Sequence, residues 1–555
     1  MAATDVRIEL DLKVPMRDGV LLSADVYRPL SVERVPAVLC RTIYDNQEPR
    51  YVEWAYRFAQ AGYAAVIQDC RGRYDSEGVW TPYLCEIEDG FDTQQWLGAQ
   101  PWCDGQIGTF GISYLGFTQI LPAPLRSPHT KALVPIANQE DNYGLIYCDG
   151  GALQLQTAMH FGWIGGRTCQ TQSWQLVDRA RLYARLPLLS ALDVIDRPIY
   201  RTFLQHPTFD EYWKSYTLKG KYEQVQAPAL FITGWYDNLV HEVFKTFRGW
   251  RHEAGTEAAR AQTKLLVGPW THTLIGSAEH FGDVDFGPGA AVDLPALHLR
   301  WYDQRLKGID TGIDQEGPVR LFVMGANTWR TEQEWPLART RYTRYYLHSR
   351  GRANSLFGDG VLSPTPPDDE PADIFWYDPR DPVPTLGGQS LLLEDSGPRD
   401  RRPVERRDDV LVYTTPPLAE DVEVTGPVSV TLYAESSAPD TDFTATLVDV
   451  HPNGKAIHLC EGIVRARFRD SLEHPAPIEP GQVYEYTLSL WETSNRFLAG
   501  HRIRLEVSSS NFPRFSRNLN TGEDQATSTR MEVAQQTVLH TGRFPSFVLL
   551  PIIPT

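Results

Sequence analysis

Apolar runs of strand length alternate with polar, helix-like segments over residues 1–141 of the 555-residue chain. The runs VPAVLCRTIY, GYAAVIQDCRG, GQIGTFGIS and KALVPIAN are continuously apolar, which is typical of parallel strands covered on both faces. Between the second and third runs, CEIEDGFDTQQWLGAQ predicts a helix. This order of segments predicts a doubly wound α/β sheet.

The alternation stops over residues 142–226, which lack strand-like runs and are rich in Leu, Ala, Arg, Gln and Tyr. This composition predicts a helical insertion, and such an insertion over the carboxyl edge of an α/β sheet builds a lidded pocket. Strands and a helix resume over residues 227–339, in APALFITGWYDN, TKLLVGPWTH, ALHLRWYDQRLKG and PVRLFVMG. Residues 1–141 and 227–339 are therefore predicted to form one α/β core that a helical cap interrupts.

Residues 340–555 have a different pattern, in which β runs follow one another without a helical segment. After the Pro- and Asp-rich passage SPTPPDDEPAD come GPVSVTLYAE, FTATLVDVHP, VYEYTLSLWE and HRIRLEVSSS. The last of these alternates apolar and charged residues with period two, as a strand with one buried face does. The pattern predicts a C-terminal all-β sandwich of jelly-roll type.

The net charge and the cysteines limit the classes of binding partner and the cellular compartment that we expect. The net charge of −17 argues against nucleic acid or an anionic membrane surface, because both need clustered Lys and Arg. The start lacks the pattern of a secretory signal, and no apolar run approaches the length of about 18 residues that would span a bilayer. The seven cysteines are scattered and form no CxxC, so we expect buried free thiols in a cytoplasmic protein. The oligomeric state stays open, with a homodimer as one alternative.

Glycines around Ser113 indicate a sharp turn between a strand and a helix. In GQIGTFGISYLGFTQIL, the segment QIGTF predicts the strand, YLGFTQIL predicts the helix, and Gly111 and Gly116 flank the serine. This context resembles the Gly-x-Ser-x-Gly turn of α/β-hydrolases, where strand and helix pass too closely for bulky side chains. A turn without chemistry would need the same glycines, so the motif indicates catalysis only if the chain supplies an acid and a base.

The chain supplies an acid and a base in the expected order. A serine nucleophile needs a base, and the base needs an acid that orients it. One predicted strand ends at Asp237 and the next ends at His272, which gives the order Ser, Asp, His of α/β-hydrolases. His280 does not directly follow a strand. His241 stands four residues after Asp237, a spacing that a metal pair would also use, and Asp237 itself could cap the following helix. The favoured set is Ser113, Asp237 and His272.

An oxyanion hole needs donors aimed at the developing negative charge. The backbone N–H of Tyr114 is the first candidate, because it follows the nucleophile directly. The second donor comes from the loop after the third strand, CRTIYDN, where Tyr44 carries a phenol that stays protonated at neutral pH. A partly buried aromatic at a strand end is the alternative interpretation of Tyr44.

The combination GISYLG, GWYDN and GPWTH, with DCRGRYDSEG and DGFDTQQWLGAQPW upstream, resembles the family of bacterial cocaine esterase and X-prolyl dipeptidyl aminopeptidases. The resemblance extends over nearly the whole chain, because DTDFTATLVDVHPNG and GHRIRLEVSSSNFPRFSRN are similar to the jelly-roll domain of that family. It implies an α/β-hydrolase core with a helical cap and a C-terminal jelly roll. It also implies Ser113 as nucleophile, Asp237 as orienting acid, His272 as base, and Tyr44 with the Tyr114 amide as oxyanion hole.

The resemblance implies further assignments and one departure. Trp163 and Leu239 resemble acyl-pocket residues of the family, with core packing as the alternative. The related α-amino acid ester hydrolases carry an acid three residues after the serine, where this chain has Gly116. An amino acid ester is therefore disfavoured as substrate.

Two polar motifs are given structural interpretations. DCRGRYDSEG is expected to form a buried polar network behind the active site through Arg71, Asp75, Ser76 and Glu77. Calcium binding is the alternative for the acidic pair in DTDF, which is interpreted as turn and edge-strand carboxylates.

The sequence predicts a serine hydrolase that cleaves a carboxylic ester of a small molecule through an acyl-enzyme, with no metal or organic cofactor. An amidase, acylase or X-prolyl dipeptidyl aminopeptidase of the same family is the alternative, because esters and amides share this machinery. A non-catalytic protein that binds carbohydrate or protein through the sandwich is the alternative from another class.

Overall fold

The structure, a computed structural model, describes residues 5–31, 33–164, 176–194, 197–277, 280–391 and 396–554. Cys169 lies outside these ranges. Residues 6–332 carry a ten-stranded mixed sheet and a small separate ribbon. Their strands are β1 (Val6–Pro15), β2 (Leu21–Pro29), β3 (Val35–Thr42), β4 (Ala64–Asp69), β5 (Cys103–Ile112), β6 (Thr130–Ile136), β7 (Leu230–Tyr236), β8 (Lys264–Thr271), β9 (His280–Phe281), β10 (Val284–Asp285), β11 (Val319–Val323) and β12 (Thr328–Glu332).

The large sheet has the strand order β1-β2-β4-β3-β5-β6-β7-β8-β11-β12, and β9 pairs with β10 in the ribbon. Pairing is parallel from β4 through β3, β5, β6, β7 and β8 to β11, while both edges are antiparallel. The six strands from β3 to β8 are buried along almost their whole length. Coverage on both faces explains why these strands are continuous apolar runs in the sequence.

Helices cover the sheet and fill the connection between β6 and β7. They are α1 (Pro49–Gln60), α2 (Leu84–Gly98), α3 (Tyr114–Ile120), α4 (Asn142–Ile146), α5 (Leu155–Ile164), α6 (Arg179–Tyr183), α7 (Pro198–Gln205), α8 (Glu211–Lys214), α9 (Val240–Glu253), α10 (Glu257–Gln262) and α11 (Leu294–Leu306). α1 and α11 pack together through Trp54, Phe58 and His298. The regular elements described between β6 and β7 are all helical, from α4 to α8. None of the helices in the described ranges is long and apolar enough to cross a membrane.

The C-terminal part forms an 11-stranded β structure. Its described residues include a short α-helix, α12 (Arg402–Glu405), so the expectation of β runs without a helical segment is wrong at this point. The strands are β13 (Arg341–His348), β14 (Val361–Ser363), β15 (Asp373–Tyr377), β16 (Leu411–Thr414), β17 (Val422–Ser436), β18 (Asp442–Val450), β19 (Ala456–Arg465), β20 (Tyr484–Phe497), β21 (Arg502–Ser508), β22 (Ala534–Leu539) and β23 (Phe547–Ile553).

Strand order in the C-terminal part is β15-β22-β17-β23-β13-β14-β16-β21-β18-β19, with β20 paired to β17. The sheet curls until β19 lies against β20, since a Cβ at Gly462 would be 1.9 Å from the carbonyl oxygen of Ser489. The result is a β-sandwich whose apolar side chains face inward. The molecule is therefore an α/β-hydrolase core with a helical insertion and a C-terminal β-sandwich, as the sequence predicts.

Candidate active site

Ser113 lies in a strained turn between β5 and α3. Its φ is +63°, a left-handed conformation that side chains other than glycine rarely adopt. Gly111 has φ +144°, and a Cβ there would be 2.4 Å from the Cβ of Leu115. A Cβ at Gly116 would be 2.8 Å from the carbonyl oxygen of Ile136 on β6. The second glycine therefore has a packing role, although it stands one residue later than in a Gly-x-Ser-x-Gly motif.

His272 joins Ser113 to Asp237. Its Nε2 lies 3.0 Å from the Ser113 Oγ, and its Nδ1 lies 2.8 Å from Oδ1 of Asp237. Asp237 directly follows β7 and His272 directly follows β8, so two neighbouring parallel strands deliver both groups to the edge where β5 delivers the serine. Because the Nδ1–H donates to the carboxylate, Nε2 is left as the acceptor for the serine hydroxyl.

Asp237 is held in place by its own neighbours and has no solvent exposure. The Thr233 hydroxyl donates to its Oδ2 at 2.9 Å, and the backbone N–H of Leu239 donates to its Oδ1 at 3.0 Å. The N-cap of α9 is Leu239. The alternative interpretation of Asp237 as the cap of this helix is therefore wrong, because its carboxylate is directed to the histidine and to the turn before α9.

Tyr44 reaches the nucleophile from the loop after β3. Its phenol is hydrogen-bonded to the Ser113 side chain. Burial raises the pKa of Tyr44 to about 12, although the nearby charge of Arg73 and the hydrogen bond to Ser113 act in the opposite direction. The phenol therefore stays a neutral donor at physiological pH, next to the atom that would attack a carbonyl carbon.

Tyr114 is placed so that only its backbone can face a substrate. Its side chain is buried, and its hydroxyl donates to Oε1 of Glu86 at 3.0 Å. The same hydroxyl accepts from the Trp80 ring N–H at 3.2 Å and from the Tyr83 backbone N–H at 3.0 Å. These bonds anchor the start of α3, which carries the Tyr114 amide that follows the nucleophile.

Arg73 supports the Tyr44 loop and was not singled out in the sequence. Its side chain is fully buried, its Nε donates to the Ile43 carbonyl at 2.9 Å, and Nη1 donates to the Ile164 carbonyl at 3.1 Å. The guanidinium also lies over the ring of Trp80, 5.0 Å from its centroid. Arg73 thus connects the loop that carries Tyr44 to the end of α5 in the helical insertion.

The predicted buried network in DCRGRYDSEG is wrong in part. Asp75 and Glu77 are exposed, while Arg71 is partly buried and pairs with Asp89 at 2.6 Å. Ser76 is buried and donates to the Asp69 carbonyl at 2.7 Å. The motif lies in a turn, where neighbouring side chains face different environments and no simple period exists.

A cavity of about 420 Å³ opens onto Ser113 and His272. α5 contributes His160 and Phe161 to its wall, and Leu391 comes from the C-terminal part, between β15 and α12. Trp163 and Leu239 are not among the described residues that line it. The lining residues are Tyr44, Glu48, Arg50, Tyr51, Ile112, Ser113, His160, Phe161, His272, Thr273 and Leu391.

The two predicted acyl-pocket residues lie elsewhere in the chain than the residues that line the described cavity wall. Trp163 is two residues after the lining residue Phe161 on α5 and is partly buried. Leu239 is 2% exposed and supports Asp237 through its backbone. A helix turns by about 100° per residue, so a shift of two positions along α5 changes the face that meets the cavity. The sequence could not distinguish Phe161 from Trp163 for this reason.

The remaining wall of the cavity is polar. His160 is partly buried, and this desolvation lowers its pKa to about 4, while the nearby His272 acts in the same direction. Glu48 and Arg50 stand at the start of α1. Glu48 also accepts from the Tyr51 backbone N–H at 3.3 Å. A neutral imidazole and one charge of each sign therefore line a cavity that is otherwise aromatic and aliphatic.

The competing candidates have other partners. His241 lies at the start of α9 between the carboxylates of Asp149 and Glu492, at 2.6 Å and 2.9 Å. Asp440 pairs with Arg467 and Asp442 pairs with Arg465, at 2.8 Å and 2.9 Å. The side chain of His280 is outside the described part of the structure.

The chain matches two family profiles. Residues 18–274 match the X-Pro dipeptidyl-peptidase (S15 family) profile, and residues 311–549 match the X-Pro dipeptidyl-peptidase C-terminal non-catalytic domain. The chain is also 40% identical over 574 residues to cocaine esterase of Rhodococcus sp. (strain MB1 Bresler), a match that spans 98% of each protein. The family resemblance predicted from the motifs is confirmed by these matches.

Solved structures show the same fold. An aminopeptidase from the marine sediment archaeon Thaumarchaeota archaeon superimposes with a TM-score of 0.84 at 24% identity, over 100% of this chain and 97% of that one. An α-amino acid ester hydrolase superimposes with a TM-score of 0.84 at 24% identity, over 99% of this chain and 97% of that one. The similarity at this identity concerns the fold, and it extends through the core, the insertion and the sandwich.

Proposed function

Because this chain is a serine hydrolase that belongs to the X-Pro dipeptidyl-peptidase (S15) family, together with cocaine esterase, we propose that it cleaves carboxylic esters of small molecules through an acyl-enzyme on Ser113. The observation that carries the proposal is the continuous hydrogen-bonded line from Ser113 Oγ through His272 to Asp237, with 3.0 Å and 2.8 Å between the joined atoms. Ser113, at one end of this hydrogen-bonded chain, opens onto a cavity large enough for a small ester.

In the acylation step, the Ser113 oxygen forms a bond to the ester carbonyl carbon while His272 Nε2 takes the hydroxyl proton. Asp237 holds the imidazole in place and stabilises its positive charge. The carbonyl oxygen becomes an oxyanion, which accepts hydrogen bonds from the Tyr44 phenol and the Tyr114 backbone N–H. The carbon–oxygen bond to the alcohol then breaks, and His272 returns its proton to the leaving alkoxide.

Deacylation follows the same chemical steps, with water in place of the serine hydroxyl. His272 takes a proton from water as its oxygen attacks the acyl carbon, and the same two donors stabilise the second oxyanion. The bond between the acyl group and Ser113 breaks, the serine oxygen recovers a proton from His272, and the acid leaves. Every proton is carried by His272, so this chain supplies both the acid and the base, and water is the second reactant.

Phe161, Ile112 and Leu391 form the apolar wall on which we propose that the non-reacting part of the substrate rests. Trp163 and Leu239 stay predictions as acyl-pocket residues. Relatedness to cocaine esterase supports an ester of a small molecule as the substrate. Gly116 leaves no carboxylate three residues after the nucleophile to bind an ammonium group.

The second candidate function is the release of X-Pro dipeptides, which the S15 profile favours. Such a peptidase must bind the free amino terminus of its substrate. Glu48 is the carboxylate in the described wall of the cavity, but Arg50 stands two residues away and reduces its attraction for a cation. Esters are therefore the preferred substrates of this site.

Buried thiols support the expectation of a reducing, cytoplasmic compartment. Burial raises the pKa of Cys40, Cys70 and Cys460 well above the ordinary thiol value, so these groups stay protonated and unreactive. A homodimer stays a prediction.

A matched substrate panel tests the proposal. p-Nitrophenyl acetate, butyrate and benzoate are compared with an X-Pro anilide, using the full chain and its Ser113→Ala variant. We expect ester turnover by the full chain and a loss of roughly 10⁴-fold or more in the variant, because the nucleophile is removed and the fold is not. Circular dichroism of both proteins controls for folding.

Different outcomes lead to different conclusions. Turnover of the anilide alone would assign the peptidase function to the same triad. Esterase activity that persists in Ser113→Ala would contradict the proposed nucleophile. If neither substrate class reacts and a fluorophosphonate probe does not label Ser113, the site is not catalytic and the sandwich would be examined for carbohydrate or protein binding.

A further inference from the structure

Two histidines and an aspartate meet in the β-sandwich, outside the site described above. Asp449 and His451 stand in the sequence LVDVHPNG at the end of β18, and His501 precedes β21 in GHRIRL. The strands are antiparallel, with Val450 opposite Arg502. Continuing this register by one residue places His451 directly opposite His501. Since alternate residues of a strand share a face, Asp449, His451 and His501 project from one face of the pair.

The side chains of these three residues converge. One nitrogen of each histidine and one carboxylate oxygen of Asp449 all lie within 4.8 Å of one another. Nδ1 of His501 is 2.8 Å from Oδ1 of Asp449, and Nε2 of His451 is 4.0 Å from Oδ2. The two imidazole rings have centroids 4.5 Å apart. The carboxylate is thus shared between two imidazoles on neighbouring strands.

The cluster is fixed on one side and open on the other. The Asp449 and His501 side chains are 5% and 11% exposed, whereas His451 is 34% exposed. The Asn495 amide donates to Oδ2 of Asp449 at 3.3 Å and orients the carboxylate from behind. A solute can therefore approach from the His451 side and meet two groups that are already positioned.

We propose that Asp449, His451 and His501 form a binding site for a divalent transition metal ion, and that this ion is Zn²⁺. Two imidazoles and a carboxylate are the ligands that Zn²⁺ and Co²⁺ prefer, while Ca²⁺ and Mg²⁺ prefer sets made of oxygen alone. Ligands about 2.0–2.2 Å from a tetrahedral ion are about 3.3 Å from one another. The cluster reaches this spacing by side-chain rotation, with the exposed His451 moving most.

The charges around the cluster are mixed. Asp400 acts on His451 and Asp421 acts on His501, both in the sense that favours a cation. Lys455 acts on His451 in the opposite sense. A metal ion would replace the proton that joins His501 to Asp449, because the ligand nitrogen must be deprotonated. Water from the open side would complete the coordination.

The location indicates a structural ion. Asn495, which orients Asp449, lies on β20 and forms a β-bridge with Met324, the residue after β11 of the core sheet. A metal ion would tie β18 to the turn before β21 at the place where the sandwich adjoins the core. It would stabilise that junction, and the proposed ester hydrolysis would proceed without it.

Equilibrium binding of ZnCl₂ to the full chain, purified without a histidine tag and treated with chelator, tests the site. We expect one Zn²⁺ per chain with micromolar or tighter affinity, and at least tenfold weaker binding by His451→Asn. His451 is the residue to change because it is the most exposed of the three. Binding of Co²⁺ should give the weak visible absorption of nitrogen and oxygen ligands, and Zn²⁺ should remove it.

His206→Asn is the matched control. His206 also pairs with an aspartate, Asp210, at 2.7 Å, but this His–Asp pair is not part of the three-residue cluster. The control variant should bind Zn²⁺ as the unchanged chain does. Equal affinity in His451→Asn and the unchanged chain, or the absence of stoichiometric binding below millimolar concentration, would overturn the proposal. Because the readout is binding, it does not depend on whether the chain hydrolyses esters.

Discussion

At the scale of single residues, the most informative group is the phenol of Tyr44. A backbone N–H is the usual oxyanion donor, and a phenol can be removed by mutation while a backbone group cannot. Burial raises the pKa of Tyr44 to about 12, so the donor stays protonated over the pH range in which esterases are assayed. Its hydrogen bond to Ser113 keeps the phenol close to the position that the carbonyl oxygen would take once the serine attacks.

Tyr44→Phe should lower kcat by roughly 10²-fold or more while KM changes little, because the lost hydrogen bond strengthens only as the oxyanion develops. Steady-state hydrolysis of a p-nitrophenyl ester measures both constants. Tyr51→Phe is the control, since Tyr51 lines the same cavity without the bond to Ser113. A variant at Tyr44 with the unchanged kcat would assign the second donor to another group.

At the scale of elements, the turn between β5 and α3 determines where the nucleophile lies. The backbone N–H of Ser113 donates to the Ile136 carbonyl at 2.8 Å, and the N–H of Gly116 donates to the Ser113 carbonyl at 2.8 Å. All seven residues of α3 are buried, so the helix cannot move aside to accommodate a larger side chain in the turn.

Gly111→Ala should therefore destabilise the fold and reduce turnover at least tenfold. The added methyl would lie 2.4 Å from the Leu115 Cβ, and the φ of +144° is unfavourable for alanine. Thermal unfolding and kcat of the variant measure the two effects. Gly289→Ala is the control, because a Cβ at Gly289 meets no atom within 4 Å. Similar behaviour of the two variants would mean that the turn tolerates a side chain.

The sequence predicts those elements in which nearly all residues are buried alike. β3 to β8 are covered on both faces, and such strands give continuous apolar runs that a single sequence displays. Strand order depends on contacts between distant segments, so nothing in the apolar runs indicates that β4 lies between β2 and β3. The pairing order of the sandwich is hidden for the same reason.

The candidate site also contains residues that the sequence could predict and residues that it could not. Ser113, Asp237 and His272 each follow a strand, and parallel strands bring their carboxyl ends to one edge, so their proximity could be predicted. His160 and Leu391 reach the cavity through packing of the insertion and of the C-terminal part against the core. No local pattern marks such residues, and a helical face cannot be oriented from the sequence alone, so the sequence did not single out Phe161, which lines the cavity.

At the scale of the whole molecule, the three parts of the chain share their polar contacts. The backbone N–H groups of Leu188 and Leu189 in the insertion donate to carbonyls of Gln525 and Ala526 beyond the sandwich strand β21, at 3.3 Å and 3.0 Å. The Tyr236 hydroxyl at the end of β7 donates to the His458 carbonyl on β19 at 3.0 Å. Stability of the active-site cavity therefore depends on these junctions as well as on the core.

His241 connects all three parts with an ionic contact. It lies on α9 of the core, its Nε2 is 2.6 Å from Asp149 of the insertion, and its Nδ1 is 2.9 Å from Glu492 on β20 of the sandwich. Burial alone would lower the pKa of His241, but the carboxylates of Glu492 and Asp149 outweigh it and raise the pKa to about 10. Lys245 shares Asp149 at 3.0 Å and Glu242 at 2.6 Å. The imidazolium is therefore a charged link at neutral pH.

His241→Gln should remove a stabilisation that depends on pH. The folded pKa of about 10 exceeds the unfolded value of about 6.5, so the contribution is complete below about pH 6.5 and is lost as pH rises to about 10. Apparent Tm values of the unchanged chain and the variant should differ most at pH 6 and converge near pH 10. The exposed His474→Gln is the control and should show no such convergence. A difference in Tm that stays constant from pH 6 to pH 10 would mean that His241 contributes packing alone, because a neutral contact has no proton to lose over this range.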